Sequence, residues 1–539
     1  MDRFPGRSFC MELMKKSVHT ERVKAKAILQ IPMEEDMNVS DSKPDVGKLL
    51  FHRGRIKIDE IKTGVNKVWI RGRLLYSVLY VTDEKDAGID MLEGEIPLSE
   101  EVYLEQADVQ DRVICASYLE DMRISMINSR KLSMRAVIVL KPRIMEHTED
   151  EICTDLSEYE AKQKNEPFRL EYQKKNLEYL ESVVCKRDVF RIHEEVTLPA
   201  GMGSVGKILW RSAELCHITF RPLDEKISVF GDMNVFVMYR EENSDEIRNY
   251  ETTLAFHGNM ECQGCWEKMT ADIAYDISNE EICIREDSDG EDRVISVDMA
   301  LELELLLQNI GSTQMVADVY GVTCNAEAVT ECKEFRQLHY EGQIAEKLSG
   351  TFVLQDAKQR ILQICHNHAE VEVEECQLAD DTITLRGDMW IGVLYTTGDN
   401  EISYAYEKVQ VPFEISRQIS SVDRQMECSV LGQLEQLQVV IKEDNIVEWR
   451  ATAEFHMIIY RICKEDILVD LKIGEIDAAS LETLPGFAIY FVQDGDTLWK
   501  IGKKYYVSVD NIKEVNGLVG NEIRPGDRLL IVKAGERAD

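Results

Sequence analysis

The sequence predicts a mainly β protein: three tandem antiparallel units of the sandwich or barrel kind, then a small strand–helix–helix–strand module. Three observations carry this reading. One strand pattern recurs three times at a spacing of about 155 to 160 residues. Period-two alternation of apolar residues fills each copy, as expected of half-buried strands. Residues 488–532 then switch to helical spacing between two short strands. At 539 residues the chain is too long for one core, so several domains are expected.

The elements follow in order. An arm (1–20) precedes the first unit (21–148), whose diagnostic strand runs from Val68 to Tyr80. Its counterparts are Ile227 to Tyr239 in the second unit (187–310) and Ile383 to Tyr395 in the third (346–475). Each holds a glycine followed eight positions later by a tyrosine: Gly72 and Tyr80, Gly231 and Tyr239, Gly387 and Tyr395. The glycine predicts a bulge or a close backbone approach. Upstream stand the pairs Leu49-Leu50, Ile208-Leu209 and Ile361-Leu362; downstream come long alternating strands at 132–140, 294–306 and 447–460. Residues 149–186, rich in Glu and Lys, predict a partly helical linker interrupted at Pro167. A second linker is expected at 311–345. A hinge at 476–487 is short enough to seat the last module on or beside the third unit, and 533–539 is a tail.

In the last module, Gly495-Asp496-Thr497 is a turn that opens a helix, with Asp496 and Thr497 both good N-caps. Leu498, Ile501 and Tyr505 recur at helical spacing, and a second helix stops at Asn516-Gly517. Tyr490, Val492, the Gly-Asp-Thr-Leu turn, Asn516 and Ile523-x-Pro525-Gly526-x-x-Leu529-x-Ile531 resemble the LysM domain. The resemblance implies a non-catalytic binder whose groove, between the Gly-Asp-Thr and Pro-Gly turns, holds N-acetylglucosamine sugars. The candidate groove residues are Gly495, Asp496, Thr497, Leu498, Trp499, Lys500, Asn516, Ile523, Pro525 and Gly526. Trp499, Lys500, Lys503 and Lys504 form a local basic, aromatic face, and tryptophan serves protein anchoring and sugar stacking alike. Gly502 departs from the family's usual Ala, at a helix cost of roughly 1 kcal/mol.

Composition narrows the setting. A net charge of −36 argues against nucleic acid or anionic membrane as partner. No apolar run reaches the roughly 18 residues that span a bilayer, and the opening residues lack the apolar core of a signal peptide. Fourteen cysteines without framework spacing predict free thiols in a reducing cytosol, which conflicts with a wall-sugar ligand.

The repeats resemble tandem SPOCS domains of spore-coat proteins. The matching residues are Ile31-Pro32, Lys43-Pro44-Asp45-Val46, Leu49-Leu50 and Gly72…Tyr80 in the first unit, with Leu198-Pro199, Ile208-Leu209 and Gly231…Tyr239 in the second. The third carries Leu354-Gln355 where Pro would sit. SPOCS repeats with a LysM domain imply a non-enzymatic coat morphogenetic protein in the mother cell, at the forespore surface. Its LysM would bind a coat scaffold, the SpoIVA-like ATPase. The alternative is a wall-associated binder of peptidoglycan or chitin-like N-acetylglucosamine polymers. Self-association through exposed β-edges fits either.

Competing chemistry is weak. Cys262-Gln263-Gly264-Cys265 has only Cys283 nearby to complete a metal set, so two loop or strand-edge thiols are expected. On a strand His366 and His368 share one face, beside Cys365 with Glu370 and Glu372, but the other repeats lack them, and incidental surface or edge residues are expected. Gly201 to Gly206 formally fits GxGxxG without a following helix, and His456 reads as a core or edge histidine. No catalytic residue, cofactor or metal is expected.

Overall fold

The computed structural model describes residues 9–10, 12–83, 88–157, 169–244, 246–354, 361–398, 404–443, 445–474, 476 and 486–532. After β1 (Phe9–Cys10), the first unit comprises β2 (Glu12–Lys26), β3 (Leu29–Asn38), β4 (Val46–Gly64), β5 (Lys67–Thr82), β6 (Ile89–Tyr103), β7 (Arg112–Asn128) and β8 (Lys131–Ser157). The second comprises β9 (Leu170–Thr197), β10 (Val205–Leu223), β11 (Lys226–Glu241), β12 (Ile247–Glu261), β13 (Thr270–Glu286) and β14 (Asp292–Gly321). The third comprises β15 (Asn325–Val353), β16 (Ile361–Ala379), β17 (Thr382–Thr397), β18 (Tyr404–Gln418), β19 (Glu427–Glu443) and β20 (Ile446–Gly474). The LysM-like module is β21 (Phe487–Phe491), α1 (Leu498–Tyr505), α2 (Val509–Asn516) and β22 (Arg528–Val532).

Each unit is a sandwich of two three-stranded antiparallel sheets. The sheets are β4-β5-β6 with β3-β8-β7, β10-β11-β12 with β9-β14-β13, and β16-β17-β18 with β15-β20-β19. One apolar core fills each, as around Val68, Leu74, Leu132 and Ile138 in the first. The repeat tyrosines Tyr80, Tyr239 and Tyr395 are fully buried. The repeat glycines sit where β4, β10 and β16 bulge against the central strand. A Cβ on Gly72 would stand 2.3 Å from the Lys57 carbonyl oxygen, and one on Gly387 only 1.9 Å from that of Glu372. The close-approach reading of the glycines holds.

The closing strands run far past their sandwiches. β9 and β14 pair from Thr197↔Val294 to Leu170↔Gly321, and β15 and β20 from Val353↔Ile446 to Asn325↔Gly474. In the first unit β3 and β2 in succession line the same edge of β8. The three arms meet in one apolar column, with Val18, Ile152, Tyr179, Met315, Phe335 and Ile467 in one layer and Cys153, Leu156, Val316, Val319, Leu468 and Leu471 in the next. Each buried Leu, Ile or Phe contributes about 1.5–3 kcal/mol, which makes the column a principal tie between the units. A second tie joins the outer faces of the meanders, where Phe51, Leu79, Trp210, Met238, Cys365 and Leu394 pack together. The units therefore stand around an approximate threefold axis.

Several expectations need correction. The described parts of 149–186 are strand, not helix, because they continue β8 and β9; Pro167 lies outside the described residues. Apart from the bend at 322–324, residues 311–345 are paired strand, as are 12–20 of the expected arm. Ile31-Pro32 lies within β3; the position equivalent to Leu198 is Val39, because the Val39, Leu198 and Leu354 amides each donate to a carbonyl at the start of the closing strand (Arg130, Arg293, Asn445). Tyr80 faces Leu49 and Tyr239 faces Ile208, but Tyr395 faces Ile364, so Ile364-Cys365 replaces Ile361-Leu362 as the third pair. The hinge at 476–487 and the tail lie almost wholly outside the described residues.

Candidate functional site

The LysM-like module folds as its spacing dictates. Thr497 caps α1, its hydroxyl accepting from the Lys500 amide, and Ser508 caps α2 likewise. Leu498, Ile501, Val507, Ile512, Leu529 and Ile531 form its core. The Asp496 carboxylate accepts from the Tyr490 hydroxyl and the Gln493 amide, both at 2.8 Å, which holds it below the ordinary carboxylate range. Val492 exchanges backbone bonds with Gly526 and Asp527, which brings the Gly495–Thr497 turn beside the Pro525–Gly526 turn. Both turns are exposed apart from half-buried Asp496, and Gly495 and Gly526 hold φ of +79° and +94°.

The other candidates divide by role. Leu498 is core and Ile523 packs against it. Asn516 clamps β22 onto α2: its amide donates to the Ile512 and Leu530 carbonyls at 2.8 Å, and its oxygen accepts from the Leu530 amide at 2.7 Å. Lys500 is exposed and donates to the Gly495 carbonyl. Trp499 does not face free solvent. Its indole donates to Asp318 Oδ2 on β14 at 2.8 Å, and Lys503 donates to Asp318 Oδ1 at 2.6 Å. Tyr320, two residues on, is buried; its ring meets Trp499 edge-on at 4.7 Å, and its hydroxyl donates to the Val507 carbonyl at 2.9 Å. The module thus sits on the second unit's arm, not on the third unit.

Gly502 completes this seat. A Cβ there would stand 2.6 Å from both the Tyr320 hydroxyl and the Val507 carbonyl oxygen. The absence of the usual Ala has a tertiary cause that helix propensity alone could not show. Asp318 itself lies at a bulge shared by all three arms, equivalent to Asp155 and Asp470; each accepts a bond from the next residue's amide. Asp155 is taken by Tyr172 and Lys174 of the neighbouring arm. The same positions of the third arm are Ala328 and Thr330, which offer no such pair of long donors, and the LysM-like module supplies Trp499 and Lys503 instead. Burial pushes the Asp318 carboxyl up, but Lys503 and Trp499 outweigh it and hold the group below its ordinary value.

The cysteine pair is structural. Cys262 and Cys265 are buried free thiols, and burial pushes Cys265 up to about 11. Cys262 donates its amide to Glu225 and Cys265 accepts from Glu225, as Leu104 and Ala107 do with Asn66, and Ile419 and Val422 with Asp381. The cysteines therefore stand where the other units place apolar plugs in the same turn. His366 and His368 are not surface residues: they are 7% and 9% exposed, at the junction of the units. His456 is half-buried on β20, and no helix follows Gly201–Gly206.

The sequence singled out His366 and His368 on one strand face but not Glu214, which joins them at the junction from a different unit. Glu214 of β10, His366 and His368 of β16 each offer a ligand atom, all within 4.8 Å of one another. Burial pushes the Glu214 carboxyl up against the pull of Arg53 and His366; burial, then His366 and Arg53, push His368 well down.

Family models place names on these parts. One described as LysM domain matches residues 490–532, and one described as SipL, SPOCS domain matches 45–127, 204–285 and 360–442. Each SPOCS match covers four strands, β4–β7, β10–β13 and β16–β19, and stops short of the long closing strand. No curated protein and no solved structure matches the chain. Both domains are binding domains rather than catalytic ones, and among the described residues no helix is long and apolar enough to cross a membrane. Together they support a sporulation-related coat protein. With three SPOCS domains around a common axis and a LysM domain seated on the second, the chain belongs to the SipL-like proteins.

Proposed function

We propose that this chain is a non-enzymatic spore-coat assembly protein that recruits a coat scaffold, the SpoIVA-like ATPase, through its LysM domain in the mother cell. The observation that carries the reading is the outer face of the β21–β22 sheet. Phe487, Ile489 and Phe491 are 70%, 63% and 56% exposed there, and Leu530 lies opposite Ile489. So much exposed apolar surface on so small a module marks an interaction site. Trp499 and Lys503 are engaged by Asp318, so the recruiting surface moves from the Trp499–Lys500 face to this sheet. Because α1 is held on the arm, the sheet is presented in one orientation.

The wall-binding alternative draws on the exposed Gly495–Thr497 and Pro525–Gly526 turns, where the LysM family holds N-acetylglucosamine. Binding of the purified full chain to the purified scaffold ATPase, beside sedimentation with peptidoglycan, separates the two. Ile489→Asp with Phe491→Asp should abolish ATPase binding and leave the seat intact. Unchanged binding would refute this surface. Saturable peptidoglycan binding with no ATPase bound would establish the wall reading.

A further inference from the structure

We propose that Glu214, His366 and His368 form a site for one divalent ion of the zinc class, which cross-links the second and third SPOCS domains at their junction. The donor set of two imidazole nitrogens and one carboxylate oxygen suits zinc and leaves a position for water. The ligand atoms lie within 4.8 Å of one another, and tetrahedral zinc with ligands at about 2.0–2.2 Å, hence roughly 3.4 Å apart, would draw the widest pair together by at most about 1.5 Å. His366 Nδ1 is buried without a hydrogen bond; its nearest ionic neighbour is Glu251, 3.6 Å away. Such an unsatisfied polar atom is costly unless something occupies it.

The repeat sharpens the point. By strand register, Phe51 and Trp210 occupy the positions equivalent to His366, and Arg53 and Ser212 those equivalent to His368. Two units meet the junction with a bulky aromatic ring where the third brings a ligating one. Rings wall the site: Phe236 stacks on His366 at 4.0 Å, and the Tyr406 hydroxyl stands 3.5 Å from His368 Nε2. The local charge favours a cation. Glu214, Glu251, Glu280 and Glu370 face three positive groups: Arg55, which binds Glu280 at 3.0 Å; Lys408, 3.6 Å from Glu370; and Arg53. The rival account makes Glu214 merely the counter-ion of Arg53.

The test uses the untagged full chain, stripped of metal and titrated with zinc chloride or cobalt chloride. One equivalent should bind, the cobalt form showing visible d–d bands without the thiolate charge-transfer band of cysteine ligation. Zinc should raise the melting temperature. His366→Phe, which restores the aromatic residue of the other units, should keep the fold and lose the cobalt spectrum; near-isosteric Glu214→Gln should lose it too. Absence of binding in the parent chain, a thiolate-type spectrum, or an unchanged spectrum in either variant would overturn the site.

Discussion

The Trp499 indole of the LysM domain donates to the Asp318 carboxylate of the second SPOCS domain at 2.8 Å, across 181 positions of sequence. The bond joins a bulge that recurs in all three arms to a helix that occurs once. It fixes where the binding domain sits and which of its faces stays free. Asp318→Ala should cost the seat about 1–2 kcal/mol, a charged hydrogen bond and an ion pair discounted for partial exposure. Small-angle scattering should then report a larger radius of gyration. An unchanged radius would show that the seat does not depend on this carboxylate.

Gly502→Ala should loosen the same seat although it favours the helix by roughly 1 kcal/mol. The new methyl meets the Tyr320 hydroxyl. Tyr320→Phe removes that hydroxyl, so Gly502→Ala should be less damaging in the Tyr320→Phe background. Thermal melts of the four proteins measure the coupling. Strict additivity would show that the Val507 carbonyl, not the seat, limits this position.

Acid should release the LysM domain. Asp318 is held below its ordinary value, so its contribution is fully present above the unfolded carboxylate pKa of about 3.9 and is lost as pH falls through the folded value. The radius of gyration should hold from pH 7 to about 5 and rise below about 4. Release already complete at pH 5 would point to a different group.

Gly387→Ala should destabilise the third SPOCS domain by about 2 kcal/mol or more, since the added Cβ falls 1.9 Å from the Glu372 carbonyl. Gly201→Ala, with nothing within 4 Å, is the control and should be near neutral. Equal melting temperatures for the two variants would contradict the bulge geometry.

Cys262→Leu combined with Cys265→Ala installs the pair that the first unit uses, Leu104 and Ala107. The double variant should fold with a change under about 1.5 kcal/mol and keep its zinc stoichiometry. Loss of bound metal would return the CxxC motif to consideration.

Sequence alone determined the β class, the threefold repetition and the LysM domain, because each rests on local periodicity. The Gly72, Gly231 and Gly387 strands and the Gly495–Leu498 turn carry their geometry within a few residues, so their meaning is readable in one dimension. Helix could not be separated from strand at 149–186, where charged residues satisfy both patterns when a long strand is exposed on one face. Only the tertiary structure decided the partners of Trp499, Gly502, Cys262 and His366. Each is defined by a neighbour more than 30 residues away or in another domain, and packing between domains, not chain periodicity, sets which side chains meet.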